Sequence, residues 1–377
     1  MPIFYKNAQI FNGETLLTDY SLVVQDKKIV DILPNTQLPN DTHIIEMDGG
    51  ILTPGYVETQ ANGGGGVLFN DEPNVDGIKT ILAAHRKYGT VAMLPTLITD
   101  SFENMTKAVK AIEDGLKQNI HGLIGGHFEG PFLNLEKKGT HLPQYIRTPT
   151  NDDLKLFQSH NIGHSLVTLA PENVPASFIK GLADAGLNIS VGHSMASKED
   201  VIRAHNHGLR GLTHFYNAMP ALSGREPAIM GSAVALRLFS GIIVDGIHSD
   251  PFSLQLAYKA LGAERLMLVT DSMHTIGVEG ITEFMLTGQK VFVVDDNRLV
   301  NEQGSLAGAH ITMEQSVKNA VSLMGASITD ALKMAIATPA TYMQCNHLKT
   351  IMNRDIQDIL WLDDGLNVTF LADYNQT

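Results

Sequence analysis

Between Ile51 and Ser272 the chain repeats one unit eight times: a short apolar run, then a stretch with helical amphipathic spacing. The runs are Ile51–Thr59, Val91–Ile98, Gly122–Gly130, Ser165–Glu172, Leu187–Ser194, Gly211–Met219, Gly241–His248 and Arg265–Ser272. Segments such as Val75–Lys87, Phe102–Lys117, Asn173–Ala185 and Lys198–His207 lie between them. Strand then helix, repeated eight times, is the pattern of an α/β protein built as a (β/α)8 TIM-type barrel. The competing open, doubly wound sheet announces itself with a G-x-G-x-x-G phosphate turn after its first strand. Here the first run is followed by Gly63-Gly64-Gly65-Gly66, with no acidic partner after a second strand.

The ends of the chain read differently. Ile3–Phe11, Ser21–Gln25 and Lys28–Leu33 are rich in β-formers, and Asp358–Leu362 and Asn367–Leu371 flank a turn at Asp363-Asp364-Gly365. We expect a small β-sandwich domain formed by residues 1–53 and 341–377, around a barrel of residues 54–340. Strand-like pieces at Phe284–Leu286 and Lys290–Val294, with a turn at Asp295-Asp296-Asn297, follow the eighth run. Helical segments then run over Ile311–Met324 and Ile328–Ala337, and Thr338-Pro339-Ala340 closes the helical region.

Composition excludes several classes of function. The 377 residues carry a net charge of −13, with no run of Lys and Arg longer than two, so a nucleic-acid backbone is not the partner. There is no stretch of about 20 apolar residues to span a membrane, and Met1–Lys6 lacks a basic segment leading into an apolar one. One cysteine, Cys345, excludes a disulfide framework and points to the cytoplasm.

In a barrel, chemistry collects at the C-terminal ends of the strands. Five of the eight runs end in His, Glu or Asp: His127-Phe128-Glu129, Gly192-His193-Ser194, Thr213-His214, Asp245-Gly246-Ile247-His248 and Thr270-Asp271. Imidazole and carboxylate together suit a divalent first-row ion with one position open for water. A further carboxylate can then move protons. Blander roles suit other residues. His85, His121, His160, His164, His205 and His207 read as solvated side chains of helices and loops, Asp245 as a helix cap, and Cys345 as a structural thiol.

The loop strings narrow this further. Thr53-Pro54-Gly55-Tyr56-Val57-Glu58 resembles the start of the barrel in the amidohydrolase superfamily. Gln60-Ala61-Asn62-Gly63, Leu94-Pro95-Thr96, Phe128-Glu129-Gly130-Pro131-Phe132, Lys138-Gly139-Thr140-His141 and Leu169-Ala170-Pro171-Glu172 follow. Then come Gly192-His193-Ser194, Thr213–Met219, Gly224-Arg225-Glu226-Pro227, Asp245–His248 and Val269-Thr270-Asp271. In this order they resemble the N-acetylglucosamine-6-phosphate deacetylase family. That resemblance implies metal-dependent hydrolysis of N-acetylglucosamine 6-phosphate to glucosamine 6-phosphate and acetate. Glu129, His193 and His214 would hold one divalent ion per subunit, Zn2+ or Fe2+. Asp271 would be general base and then acid for the attacking water, and His248 would bind substrate and assist catalysis. Thr140, His141, Asn217, Ala218, Arg225 and the Leu306-Ala307-Gly308 loop would hold the sugar phosphate, with Arg225 reaching the neighbouring site of a homodimer.

Departures from the family pattern sharpen the expectations. Gln60-Ala61-Asn62 stands where many amidohydrolases carry H-x-H, and amides are poor ligands for a second transition metal, so a single-metal site is expected. Glu58 replaces the usual Asp, Ser272-Met273-His274 replaces small residues after Asp271, and Asn353–Asp358 replaces a Gly-Lys-x-Ala-Asp segment. The galactosamine epimer is an alternative substrate, against which Gln60 argues. A cyclic-amide hydrolase would call for a fourth-strand lysine, and Leu166–Glu172 has none. A non-catalytic binding module would have lost ligands or base, and this chain keeps all four.

Overall fold

A computed structural model of the chain describes residues 1–40, 43–286, 288–294 and 298–374. Eight parallel strands follow in sequence and in space: β1 (Tyr56–Ala61), β2 (Thr90–Ile98), β3 (His127–Glu129), β4 (Leu166–Leu169), β5 (Asn188–Val191), β6 (Gly211–Leu212), β7 (Phe239–Ile242) and β8 (Leu266–Leu268). Neighbours pair in parallel from β1 to β8, with two register shifts between β1 and β2, and every residue of β1 and β2 is buried. This is why the runs are continuously apolar rather than alternating: helices cover the outside and side chains fill the inside. The ring closes narrowly. Ala61 bridges Ser272 just beyond β8, the Asp271 N–H donates to Gln60 O (2.9 Å) and the Asn62 N–H to Ser272 O (2.8 Å).

Each strand is followed by a helix: α1 (Val75–Arg86), α2 (Phe102–Lys117), α3 (Asn151–Gln158), α4 (Ala176–Asp184), α5 (Lys198–His205), α6 (Ala228–Leu236), α7 (Pro251–Leu261) and α8 (Met313–Ser322). Local chemistry sets their starts. Asn74 caps α1 through Gly77 N–H, while Thr150 with Asp153 and Ser197 with Asp200 form capping boxes on α3 and α5. Between β8 and α8 an antiparallel three-stranded sheet is inserted, with strands Glu283–Leu286, Gln289–Val293 and Leu299–Asn301. The turn expected at Asp295-Asp296-Asn297 lies outside the described residues.

The first apolar run serves two sheets. Ile51–Pro54 joins the five-stranded end sheet, Gly55 turns the chain, and β1 begins at Tyr56. In that end sheet Ile51–Pro54 lies between Gln9–Phe11 and Ile359–Leu362, so both chain ends meet on one strand. The facing sheet orders Lys28–Pro34, Tyr20–Gln25, Ile3–Lys6 and His43–Glu46. The expected strand Ile3–Phe11 is therefore broken in two at Asn7, whose φ is 66°. Ile10, Leu22, Val24, Ile29, Leu52 and Ile359 are buried between these sheets. Each such side chain contributes about 1.5–3 kcal/mol of burial, which ties the tail to the head.

One further expectation changes. The helical region does not close at Thr338–Ala340: the helix at Ile328–Leu332 widens into a π turn over Lys333–Ala337 and continues through Thr338–Tyr342. Pro339 has no N–H to give, and the widened turn before it absorbs that loss. The Gly63–Gly66 run makes a hairpin, with Gly63–Gly64 pairing against Val67–Leu68.

Candidate active site

Glu129 is the last residue of β3, and His193, His214 and Asp271 follow the ends of β5, β6 and β8. Three of them occupy the left-handed region: φ is 47° for His193, 37° for His214 and 47° for Asp271. Such a backbone costs about 1–3 kcal/mol for a non-glycine residue, and it turns each side chain from the strand direction into the barrel mouth.

Glu129 Oε1 lies 3.1 Å from His193 Nε2 and 2.9 Å from His214 Nε2, and those two nitrogens are 3.0 Å apart. All three side chains are buried. His193 Nδ1 donates to Lys137 O (2.7 Å), so the Nε2 of the neutral ring presents a lone pair to the group. Among the described residues the buried His214 Nδ1 has no hydrogen-bond partner. Ligand atoms about 2.0–2.2 Å from a tetrahedral ion sit close to this far apart. Three electron-rich atoms converging in a buried site are the donor set of a divalent metal, and these residues fit one. Gln60 Nε2 donates to the second oxygen, Glu129 Oε2 (3.2 Å), so the amide at the end of β1 orients the carboxylate.

Asp271 faces this group from β8. Burial, then the charge on Glu129, push its carboxyl up to about 6, with His214, Asn62 and His248 opposing. Asn62 Nδ2 donates to Asp271 Oδ1. His248 Nδ1 donates to Asp245 Oδ2 (2.6 Å), while Asp245 Oδ1 accepts the N–H groups of Ile247 and His248. Asp245 thus fixes the ring and leaves His248 Nε2 facing outward. The side chains of Asp245, His248, Leu306 and His310 line one cavity with Gly308.

His141 is buried with its ring centroid 4.3 Å from that of His193. Its Nδ1 accepts the Thr99 N–H (3.2 Å), which puts the ring proton on Nε2, and burial holds it well below the usual histidine range. Thr140 precedes it on the same loop. Asn217 N–H donates to His214 O, and Ala218 O accepts from Ser194 N–H (3.2 Å), so this turn links the β5 and β6 loops. Ala307 is buried, whereas Leu306 and Arg225 are exposed, Arg225 on the loop before α6.

Residues 5–52 match the NagA composite domain and residues 51–350 match the amidohydrolase family. The chain belongs to the amidohydrolase family. It is 41% identical over 323 residues (85% of this chain, 82% of the relative) to an N-acetylgalactosamine-6-phosphate deacetylase of Shewanella sp. strain ANA-3. It is 33% identical over 335 residues (89% and 88%) to an N-acetylglucosamine-6-phosphate deacetylase of Haemophilus influenzae. The crystal structure of N-acetylglucosamine-6-phosphate deacetylase from Pasteurella multocida superposes with a TM-score of 0.91 at 34% identity, covering 98% of this chain and 97% of that one.

Several residues of this amidohydrolase differ from their sequence reading. His85 is not solvated: it is buried on α1 and its Nε2 bonds Gly63 O (2.9 Å). Asp245 does not cap α7, a role taken by Asp250, but orients His248. Glu58 was missed as a structural element. Its carboxylate accepts Gln60 N–H (2.8 Å) and Thr270 N–H (3.0 Å), joining β1 to the residues after β8. Glu172 was missed too: it accepts from Asn134 Nδ2, Ser194 Oγ and Met195 N–H, bracing the loop that carries His193. The family strings around both residues were the available signal.

Proposed function

We propose that this amidohydrolase removes the acetyl group of N-acetylglucosamine 6-phosphate, giving glucosamine 6-phosphate and acetate. The observation that carries this is the convergence of Glu129 Oε1, His193 Nε2 and His214 Nε2 within 2.9–3.1 Å of one another, with a buried Asp271 opposite.

A divalent ion, Zn2+ or Fe2+, held by Glu129, His193 and His214 supplies Lewis acidity and makes a water acidic enough to attack at neutral pH. Asp271, kept in place by Asn62, takes the proton of that water and returns it to the leaving amine. His248, its Nδ1–H anchored on Asp245, offers Nε2 to the substrate beside the reacting amide. His141, with its proton on Nε2, and Thr140 donate to the sugar phosphate from one side, Asn217 and the Ala218 N–H from another. The Leu306–Gly308 loop closes over the sugar. Arg225, exposed in one chain, suits the phosphate of a neighbouring subunit's site through its forked donors. A homodimer in the cytoplasm, with the barrel over residues 54–340 and both chain ends in the sandwich, completes the proposal.

The similarity to the Shewanella deacetylase favours a second substrate, the galactosamine epimer. Acetate release from both sugar phosphates, with metal assayed on the same sample, separates the two. Release that is lost on chelation and restored by Zn2+ or Fe2+ supports the chemistry, and the faster epimer names the substrate. No release from either, with metal bound, overturns it in favour of a binding module.

A further inference from the structure

Residues 306–310 run alongside Asp271. Ala309 bridges Ser272, its N–H donates to Asp271 O (3.1 Å), and Met273 N–H donates back to Ala309 O (3.1 Å). The chain turns through a φ of 77° at Gly308, a conformation that favours glycine. His310, the residue after Ala309, lines the same small cavity, about 10 Å³, as His248.

His310 is held there. Its Nδ1 is hydrogen-bonded to the Oγ1 of the buried Thr275 at 2.7 Å, and its Nε2 has no partner among the described residues. The other polar side chains around the cavity are differently placed. Both oxygens of Asp245 are committed to His248 and the Ile247 N–H, and Arg298, which precedes the strand Leu299–Asn301, is exposed. Beside His248, His310 is thus the side chain with both a fixed orientation and an uncommitted hydrogen-bonding edge. A neutral imidazole offers one donor or one acceptor in a set direction, which matches a hydroxyl. Burial holds His310 below the usual histidine range, which keeps the ring neutral.

We propose that His310 is a specificity-determining residue, hydrogen-bonding a ring hydroxyl of the amino-sugar phosphate so that the two C4 epimers are told apart. This rests on the deacetylase reading above. Thr275 is the positioning residue that aims the ring.

The test measures acetate release from N-acetylglucosamine 6-phosphate and N-acetylgalactosamine 6-phosphate by wild type, His310→Leu, His310→Gln and Thr275→Val, with metal content assayed throughout. Binding of the products, glucosamine and galactosamine 6-phosphate, is followed by calorimetry. For the favoured epimer, His310→Leu should raise KM about tenfold, the worth of one hydrogen bond, with kcat within about threefold. The ratio of kcat/KM between epimers should fall towards one, His310→Gln should restore part of it, and metal content should not change. Equal losses on both epimers, or none, overturn the proposal. If His310→Leu does not fold, Thr275→Val carries the test, since it keeps His310 but releases the ring. A wild type that deacetylates neither epimer defeats the deacetylase reading. Product binding then still decides His310: discrimination lost in His310→Leu upholds it, and unchanged discrimination overturns it.

Discussion

Asn62 Nδ2 reaches across the seam between β1 and β8 to donate to Asp271 Oδ1 at 2.8 Å, and a second contact of 3.3 Å meets the Asp271 carbonyl. The carboxylate proposed to handle the proton is therefore steered from the opposite edge of the barrel closure. Asn62→Ala should lower kcat about tenfold, the worth of one hydrogen bond to a charged group, while metal content holds. Steady-state kinetics alongside metal analysis check this; a variant that lost its metal instead would place Asn62 in a different role.

Asp271 itself has a sharper expected outcome. Asp271→Asn should keep metal and substrate binding and lose about 10²–10⁴-fold in turnover, since an amide cannot carry the proton. Near-normal rates would assign the proton transfer elsewhere.

Removing the ion should cost stability as well as activity. Glu129, His193 and His214 are buried and converge without a cation of their own. Ligand at 100 times its dissociation constant contributes about 2.7 kcal/mol to the folded state. Chelation should lower the melting temperature, and readdition of Zn2+ or Fe2+ should restore it. Glu129→Gln should show the lowered melting temperature from the outset and respond to neither treatment.

Asp245→Asn should leave metal content intact and raise KM while lowering kcat, because His248 loses the acceptor that fixes its Nδ1–H. A change confined to thermal stability would show that the pair only braces the loop.

Glu58 predicts a pH effect on folding. Burial raises its carboxyl from 4.5 to about 8, against the donors at Gln60 and Thr270. The folded state therefore holds this proton more tightly than the unfolded chain does. The resulting stability is fully present below about 4.5 and is lost progressively as pH rises through about 8. Wild type should lose unfolding free energy relative to Glu58→Gln between pH 6 and 9, as denaturant titrations at both values would show. Parallel curves would mean that Glu58 stays ionised in the fold.

The barrel was legible because β/α alternation depends only on local period, and the strand-end positions of Glu129, His193, His214 and Asp271 followed from it. Residues whose role depends on a partner distant in sequence were not legible. Nothing near His85 says that a hairpin at Gly63 will cover it, and Asp245 before a helix looks like a cap until the His248 ring is seen turned back onto it. The unbroken run Ile51–Thr59 hides a change of sheet at Gly55, since both sheets bury their strands and so ask for the same residues. Pro339 signalled a helix end, but packing of the buried Thr338, Ala340 and Tyr342 carried the helix past it.

The strand Ile51–Pro54, flanked by Gln9–Phe11 and Ile359–Leu362, sets a timetable for synthesis. The indole of Trp361 donates to Gly49 O across 312 positions of sequence. On the ribosome the opening fifty residues emerge first and the barrel strands next, so both precede the strand Ile359–Leu362 that completes the end sheet. One edge of Ile51–Pro54 stays bare until Ile359–Leu362, made later, covers it. A nascent protein stalled short of Ile359 would hold a closed barrel beside an open, adhesive sheet edge.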